Sequence, residues 1–329
     1  MIKPSSTRYG HAATRVQPQR ADSGMLTEVA DGLALPQKEL PPKFFYDQRG
    51  SELFERITRL PEYYQTRTER ALLEAWMPEL IARLGTRTLV ELGAGNAEKS
   101  RIILDAMRAA GTAELYLPID VSATFLSQTA ARLRREYPGL LVEPVVADIS
   151  AELHLPRRAP APTLIAFIGG TIGNFYPTAA IRLLTHIRAA MAPGDRFLMG
   201  VDLRKDVARI EAAYNDAQGV TAEFNRNMLR VLNHELGADF DPAAFDHRAF
   251  YDRTAHWIEM HLVASRPQQV IIPGIGVVRF AEGETLRTEI SAKYDQASVG
   301  ELFRAAGLRL EAWRHDADRL FALTVGSPA

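Results

Sequence analysis

Leu89-Val90-Glu91-Leu92-Gly93-Ala94-Gly95-Asn96-Ala97-Glu98-Lys99 carries an apolar run into a turn of small residues, then directly into a helical pattern from Lys99 to Met107. Strand, glycine turn and helix in this order open a nucleotide-binding α/β unit, because glycine lets backbone approach a ligand that side chains would hold off. A second apolar run, Leu115-Tyr116-Leu117-Pro118-Ile119, ends in Asp120, about where such folds set an acid against ribose hydroxyls. A third, Leu141 to Ala147, ends in Asp148. Acids that close successive strands around one glycine turn point to an adenosine pocket.

The turn departs from Gly-x-Gly-x-x-Gly, since Glu98 stands where the third glycine belongs. That counts against a dinucleotide dehydrogenase, whose helix must approach the strand at that glycine. The looser Glu-x-Gly-x-Gly turn, Glu91 to Gly95, is the kind that enzymes using S-adenosylmethionine (SAM) carry. They hold one nucleoside and no pyrophosphate.

Composition narrows the function classes. With 329 residues the chain has room for two domains, or one domain with a large elaboration. A formal net charge of −1 and no long basic stripe argue against a nucleic-acid partner. No run approaches the roughly 18 apolar residues of a membrane span. The chain has no cysteine, which removes disulfides, thiolate metal sites and cysteine nucleophiles, and is compatible with a reducing cytoplasm. His256 and His261 are five apart, and the histidines offer no metal-site spacing, so no metal is expected. Residues 1–24, rich in Arg, Ser, Gln and Pro, read as a disordered tail rather than a secretory signal.

From Thr88 to about Leu203 apolar strands alternate with helical patterns, which predicts a parallel sheet covered on both faces. Its fourth strand is Thr163 to Ile168, its next helix Thr178 to Met191, and its fifth strand Arg196 to Asp202. Val207 to about His234 then reads as mostly helical, and His256 to Tyr294 as short antiparallel strands. After a helix at Ala297 to Ala306, a hairpin of Leu308–Trp313 and Phe321–Val325 closes the chain, as class I methyltransferase sheets finish. The fold class is therefore α/β: a Rossmann-like class I methyltransferase sheet with a second, substrate-binding α+β domain. Residues 25–68 and 204–293 are assigned to that second domain, and 69–203 with 294–329 to the SAM-binding domain.

Longer strings carry a family resemblance. Leu40-Pro41-Pro42-Lys43-Phe44-Phe45-Tyr46-Asp47, Gly50-Ser51-Glu52-Leu53-Phe54 and Ile57 to Glu69 precede the glycine turn. Gly169 to Asn174, Ala222 to Asn227 and Glu289-Ile290-Ser291 follow it. Together they make the chain, from about Leu35 to its C-terminus, resemble the histidine-specific N-alpha-methyltransferases of ergothioneine biosynthesis. The resemblance implies SAM as cofactor and L-histidine as a small-molecule substrate, trimethylated on its α-amine to hercynine by a cytoplasmic monomer. Other readings keep the chemistry on a different amino acid such as tryptophan, or make the chain a non-catalytic SAM-binding protein.

The resemblance also implies a site. Cofactor contacts fall on Gly93, Lys99, Asp120, Asp148 and Ile149. Asp120 can accept from ribose hydroxyls, and Asp148 from the adenine amine. Lys99, poorly placed for the macrodipole in a first helical turn, has reason to face the carboxylate of SAM. The competing roles are a helix cap or turn for the two acids and a solvated surface for Lys99. Substrate contacts fall on Tyr46, Phe54, Tyr63, Gly169, Asn174, Tyr214, Met260, Glu289 and Ser291. Asn174 and the Tyr214 hydroxyl can donate to an α-carboxylate. Glu289 and Ser291, two apart on a strand, share a face and can hold the two imidazole nitrogens. Tyr46 and Asn174 are the expected catalytic residues, with Tyr46 orienting the amine.

Overall fold

The computed structural model describes residues 21–121, 123–147, 149 and 159–329. Helix α1 (Ala21–Ala34) leads to strand β1 (Lys38–Glu39), helix α2 (Gln48–Ile57) and helix α3 (Gln65–Leu84). The α/β stretch follows as β2 (Thr88–Leu92), α4 (Glu98–Ala109), β3 (Leu115–Asp120) and α5 (Ala123–Glu136). It continues with β4 (Leu141–Val142), β5 (Val145–Val146), β6 (Thr163–Phe167), α6 (Pro177–Ala190) and β7 (Arg196–Asp202). Next come α7 (Val207–Ala212), α8 (Val220–Leu236), β8 (Phe245–Asp252), β9 (Trp257–Ala264), β10 (Gln268–Ile272), β11 (Gly276–Phe280) and β12 (Thr285–Ala292). The chain ends with α9 (Gln296–Ala305), β13 (Leu308–His315) and β14 (Phe321–Pro328).

The larger sheet runs β13-β14-β7-β6-β2-β3-β4, with β5 also on β3. The pairs among β2, β3, β6 and β7 are parallel, whereas β14 is antiparallel to both β7 and β13. This is the class I methyltransferase order, closing hairpin included. Alternate residues of each strand enter opposite layers. Leu89, Tyr116, Leu164 and Leu198 pack under α3 and α4, against Leu73, Met77, Ile103 and Leu104. Val90, Leu117, Ile165 and Phe197 pack on the other face against Leu183 and Ile187 of α6 and Val299 and Phe303 of α9. Each large apolar side chain so buried contributes about 1.5–3 kcal/mol over leaving it in water. That two-sided burial is why the strands read as apolar runs rather than alternating ones.

A second sheet runs β1-β12-β9-β8. The N-terminal segment joins it directly, Lys38 and Glu39 lying parallel to Leu286 and Arg287. A separate apolar core unites Val29, Phe45, Leu53 and Tyr64 with Phe224, Met228, Phe245, Met260 and Leu286.

Three details differ from the sequence reading. Helix α1 starts at Ala21, inside the stretch expected as a tail, because Val29 and Leu33 on the same helix bury into this second core. The third apolar run is two short strands, Leu141–Val142 and Val145–Val146, rather than one. Pro144 between them has no N–H to give a ladder. Antiparallel pairing also begins earlier than expected, at Phe245 on β8. Among the described residues no helix is long and apolar enough to cross a membrane.

Candidate active site

β2 is flanked by β3 on one side and β6 on the other, so the crevice beyond its C-terminal end is the topological switch point of the sheet. The glycine turn fills the rim of that crevice. Gly93 and Gly95 hold φ of 72° and 50°, and a Cβ added at either would meet nothing within 4 Å. Backbone is thus bare toward open space, in a conformation that side chains strain to adopt. The Gly93 and Ala94 amides donate to the Ile119 carbonyl at 2.8 and 3.2 Å, which ties the turn to the end of β3. Asp120 closes β3, and its Oδ2 accepts from the Gly95 amide at 3.1 Å. A carboxylate at this position has the acceptor chemistry that ribose hydroxyls require. Ile149 is half-buried at the edge of the core below the sheet. Asp148 lies outside the described residues.

Lys99 does face a carboxylate, but the carboxylate belongs to the protein. Its Nζ lies 2.5 Å from Oε2 of Glu69, a buried residue of α3. Both Glu69 oxygens also accept from the Gly169 amide, at 2.7 and 2.9 Å. Gly200 on β7 makes room for this carboxylate, because a Cβ there would lie 2.1 Å from Glu69 Oε1. Glu69 thereby fixes both Lys99 and the start of the turn after β6. An ammonium has three donors, and among the described residues Glu69 takes one of those of Lys99. Bare turn, acid and cation together fit the backbone-facing, ribose and carboxylate parts of SAM.

The residues expected to bind substrate lie on the N-terminal segment, the turn after β6, and β9 and β12 with Tyr214. Tyr46 follows the 3-10 turn Pro42–Phe45, and its ring packs at 5.8 Å on Phe54 and 5.6 Å on Phe224. Phe54 packs in turn on Tyr63 at 6.2 Å, making one aromatic wall. Tyr46 is 45% exposed. Its hydroxyl lies deep enough that burial raises its pKa, and the charges of Glu289, Asp120 and Tyr214 raise it further. Tyr46 therefore stands between the acid of the glycine-turn side and the acid of β12. It stays a protonated phenol at neutral pH.

Glu289 and Ser291 share one face of β12, and Met260 of β9 pairs across from Glu289. Among the described residues no hydrogen-bond donor reaches the Glu289 carboxylate. Burial pushes its pKa up to about 7, against the opposing pull of Lys293. Tyr214, just past α7, donates its hydroxyl proton to Ser291 Oγ at 2.9 Å. The carboxylate role expected of Tyr214 thus competes with a bond to Ser291. Asn174 closes the 3-10 turn Thr171–Asn174, which Gly169 (φ 89°) and the cap residue Gly170 (φ 69°) lead into. This turn lies so near β12 that a Cβ on Gly173 would sit 2.9 Å from the Ala292 carbonyl oxygen and 3.3 Å from Ser291 Oγ.

Behind these residues is a charged cluster that the sequence reading missed. Lys293, fully buried, donates to Tyr214 Oη at 2.9 Å and Ser291 Oγ at 2.8 Å, and pairs with Asp202 Oδ2 at 3.0 Å. Asp202 also accepts from Tyr64 at 3.0 Å and pairs with Lys205. Burial alone would raise the Asp202 carboxyl, but Lys293 and Lys205 outweigh it and hold it below the usual carboxylate range. Burial brings Lys205 down to about 8. One signal was available: Asp202 ends β7 as Asp120 ends β3, a further acid at the C-terminal edge of the sheet. Among the described residues no group of three or more His, Asp or Glu could hold a metal ion.

Comparison with known proteins covers almost the whole chain. Residues 25–328 match the family model described as histidine-specific methyltransferase, SAM-dependent. A histidine N-alpha-methyltransferase of Mycobacterium tuberculosis is 44% identical over 93% of this chain and 96% of its own. That of Mycolicibacterium smegmatis is 43% identical over 93% of this chain and 95% of its own. Ergothioneine biosynthesis protein 1 of Neurospora crassa is 30% identical over 84% of this chain, which spans 32% of that longer protein.

Proposed function

The chain belongs to the histidine-specific, SAM-dependent methyltransferases, and from that membership we propose that it methylates the α-amine of L-histidine three times. The product is hercynine, and the reaction is the first step of ergothioneine biosynthesis. Glu289 carries the reading of the substrate. A half-buried carboxylate with no protein donor among the described residues keeps its acceptor positions for a ligand, and an imidazole N–H takes one.

SAM, when bound, supplies an electrophilic methyl group on sulfur. The chain's own residues bind and align. The Gly93 backbone, Lys99, Asp120, Asp148 and Ile149 hold the cofactor. Asn174 donates to the α-carboxylate of histidine. The Tyr214 hydroxyl rotates from Ser291 to that carboxylate, since a charged acceptor makes the stronger bond. Glu289 and Ser291 take the ring nitrogens, with Met260, Phe54 and Tyr63 against its faces and Gly169 at the rim. Two anchored ends leave the α-amine little freedom, and alignment of this kind supplies much of the rate. The Tyr46 oxygen accepts an amine N–H and directs the lone pair. Its raised pKa excludes it as a base at neutral pH, so the amine loses its proton to solvent, which reaches the exposed part of Tyr46.

We read residues 25–68 and 204–293 as the substrate-binding unit and 69–203 with 294–329 as the cofactor-binding unit, a division supported by their separate apolar cores. The enzyme is read as a cytoplasmic monomer: light scattering is expected to return a mass of about 36.5 kDa, and twice that mass overturns the monomer. The test of function is incubation of the protein with SAM and a pool of the common amino acids, with products read by mass spectrometry. Histidine alone gaining three methyl groups is the expected result. Another amino acid methylated instead overturns the assignment of Glu289 and Ser291, and no product despite SAM binding overturns the enzyme.

A further inference from the structure

The cluster behind the ring pocket has a definite count of hydrogens. The Lys293 ammonium has three, and three acceptors surround it: Tyr214 Oη at 2.9 Å, Ser291 Oγ at 2.8 Å and Asp202 Oδ2 at 3.0 Å. All three hydrogens are spent on the protein, and the side chain is fully buried. Each hydroxyl oxygen therefore receives a hydrogen from Lys293. Ser291 Oγ also receives the Tyr214 hydrogen at 2.9 Å, which fills both its lone pairs. No described residue accepts the hydrogen of Ser291 itself. When Tyr214 turns to a substrate carboxylate, the lone pair released on Ser291 faces Tyr214 rather than the ring. The Ser291 hydrogen finds no place on Tyr214 Oη in that state, because Lys293 and the neighbouring Gln65 side chain already donate to that oxygen.

We infer that Lys293 is a positioning residue that sets the polarity of the ring pocket by making Ser291 a donor only. Glu289, when ionised, accepts only. The two ends of the pocket are thus opposite, one donor and one acceptor on the same face of β12. A neutral imidazole matches them in one tautomer, with its N–H toward Glu289 and its bare nitrogen toward Ser291. A ring with an N–H but no bare nitrogen, such as a pyrrole or an indole, leaves the Ser291 hydrogen buried and unmet. This inference rests on the reading of Glu289 and Ser291 as the partners of imidazole, and identifies the residue that enforces their polarity.

Calorimetric titration tests it with histidine and the two pyrrolylalanines, each of which keeps one ring N–H and lacks the other nitrogen. Wild-type protein is expected to bind the better pyrrolylalanine about tenfold or more weakly than histidine, the cost of one unmet buried donor. In Lys293→Met the Ser291 hydroxyl is free to turn to Tyr214 or Asp202. The ratio of affinities then falls to within about threefold, even though histidine itself binds less tightly. Lys293→Arg retains donors and is expected to restore the wild-type preference. A purely structural lysine would weaken all ligands together and leave the ratio unchanged, which overturns the inference. If Lys293→Met loses its cooperative thermal transition, Ser291→Ala carries the same readout, and a ratio preserved in that variant overturns the inference equally. Wild-type protein that binds no histidine at all overturns instead the functional reading beneath it.

Discussion

Glu289 and Tyr46 meet the same problem of a polar group crowded by protein and answer it differently. Burial raises Glu289 to about 7, so near neutral pH it is part acid and part carboxylate. The carboxylate is the stronger acceptor of an imidazole N–H. Histidine affinity therefore falls as pH drops through about 7, and Glu289→Gln flattens that limb while raising KM about 10–100-fold. Stability of the ligand-free protein moves the other way. Between the ordinary carboxyl value of 4.5 and about 7, Glu289 binds more protons folded than unfolded, so its contribution is lost as pH rises through that window. Glu91, also raised to about 7 by burial, shares the direction. The diagnostic quantity is therefore wild type minus Glu289→Gln in thermal melts from pH 5 to 8. A difference that does not change with pH sinks the assignment. Tyr46 is held protonated throughout, and in the proposed mechanism its oxygen only aims the amine. Tyr46→Phe is expected to lower kcat about 10–100-fold with SAM affinity unchanged. An unaltered kcat removes it from the mechanism.

At the scale of elements, the substrate end depends on how closely the 3-10 turn Thr171–Asn174 lies against β12. The atoms that would meet a Cβ on Gly173 are the backbone oxygen and nitrogen of Ala292, at 2.9 and 3.1 Å, and backbone within a sheet cannot yield as a side chain can. Gly173→Ala must then lift the turn and carry Asn174 with it. A displacement near 1 Å costs about 100-fold in positioned reactions, so histidine kcat/KM is expected to fall by that order. SAM affinity, set by the separate turn after β2, is expected to hold in fluorescence titration. Equal loss of both affinities would show general unfolding instead. These elements were legible in the sequence to different degrees. β2, its turn and α4 were plain because buried parallel strands are continuous apolar runs that glycines punctuate. Glu69, Asp202, Lys205 and Lys293 were not. A charge on a helix or at a strand end reads as solvated, and their partners lie far off in sequence: Tyr64 bonds Asp202 across 138 positions, and Glu69 meets Gly169 across 100. Only packing shows that such charges are paired inside.

At the scale of the whole molecule, two cores face one cleft, and a single side chain belongs to both walls. Tyr46 stands on the N-terminal segment, its ring against Phe54 and Phe224 of the second core, while its hydroxyl feels Asp120 from one side and Glu289 from the other. A ligand on either side buries the same ring. Whichever binds first meets the cost of ordering Tyr46 and removing its water, and the second ligand finds that work done. Histidine and S-adenosylhomocysteine, which keeps the cofactor's nucleoside without its methyl group, should therefore bind cooperatively. The expected coupling is about 5–150-fold, and linkage requires the same factor whichever ligand is titrated first. Calorimetry of histidine with and without saturating S-adenosylhomocysteine measures it, and the reverse titration checks it. Tyr46→Ala removes the shared ring and is expected to bring the factor to near one, whereas Tyr46→Phe retains most of it. Coupling that survives Tyr46→Ala in full would place the connection elsewhere, with Glu69 the next residue to vary. That carboxylate joins Lys99 on the cofactor side to the Gly169 amide that opens the substrate turn.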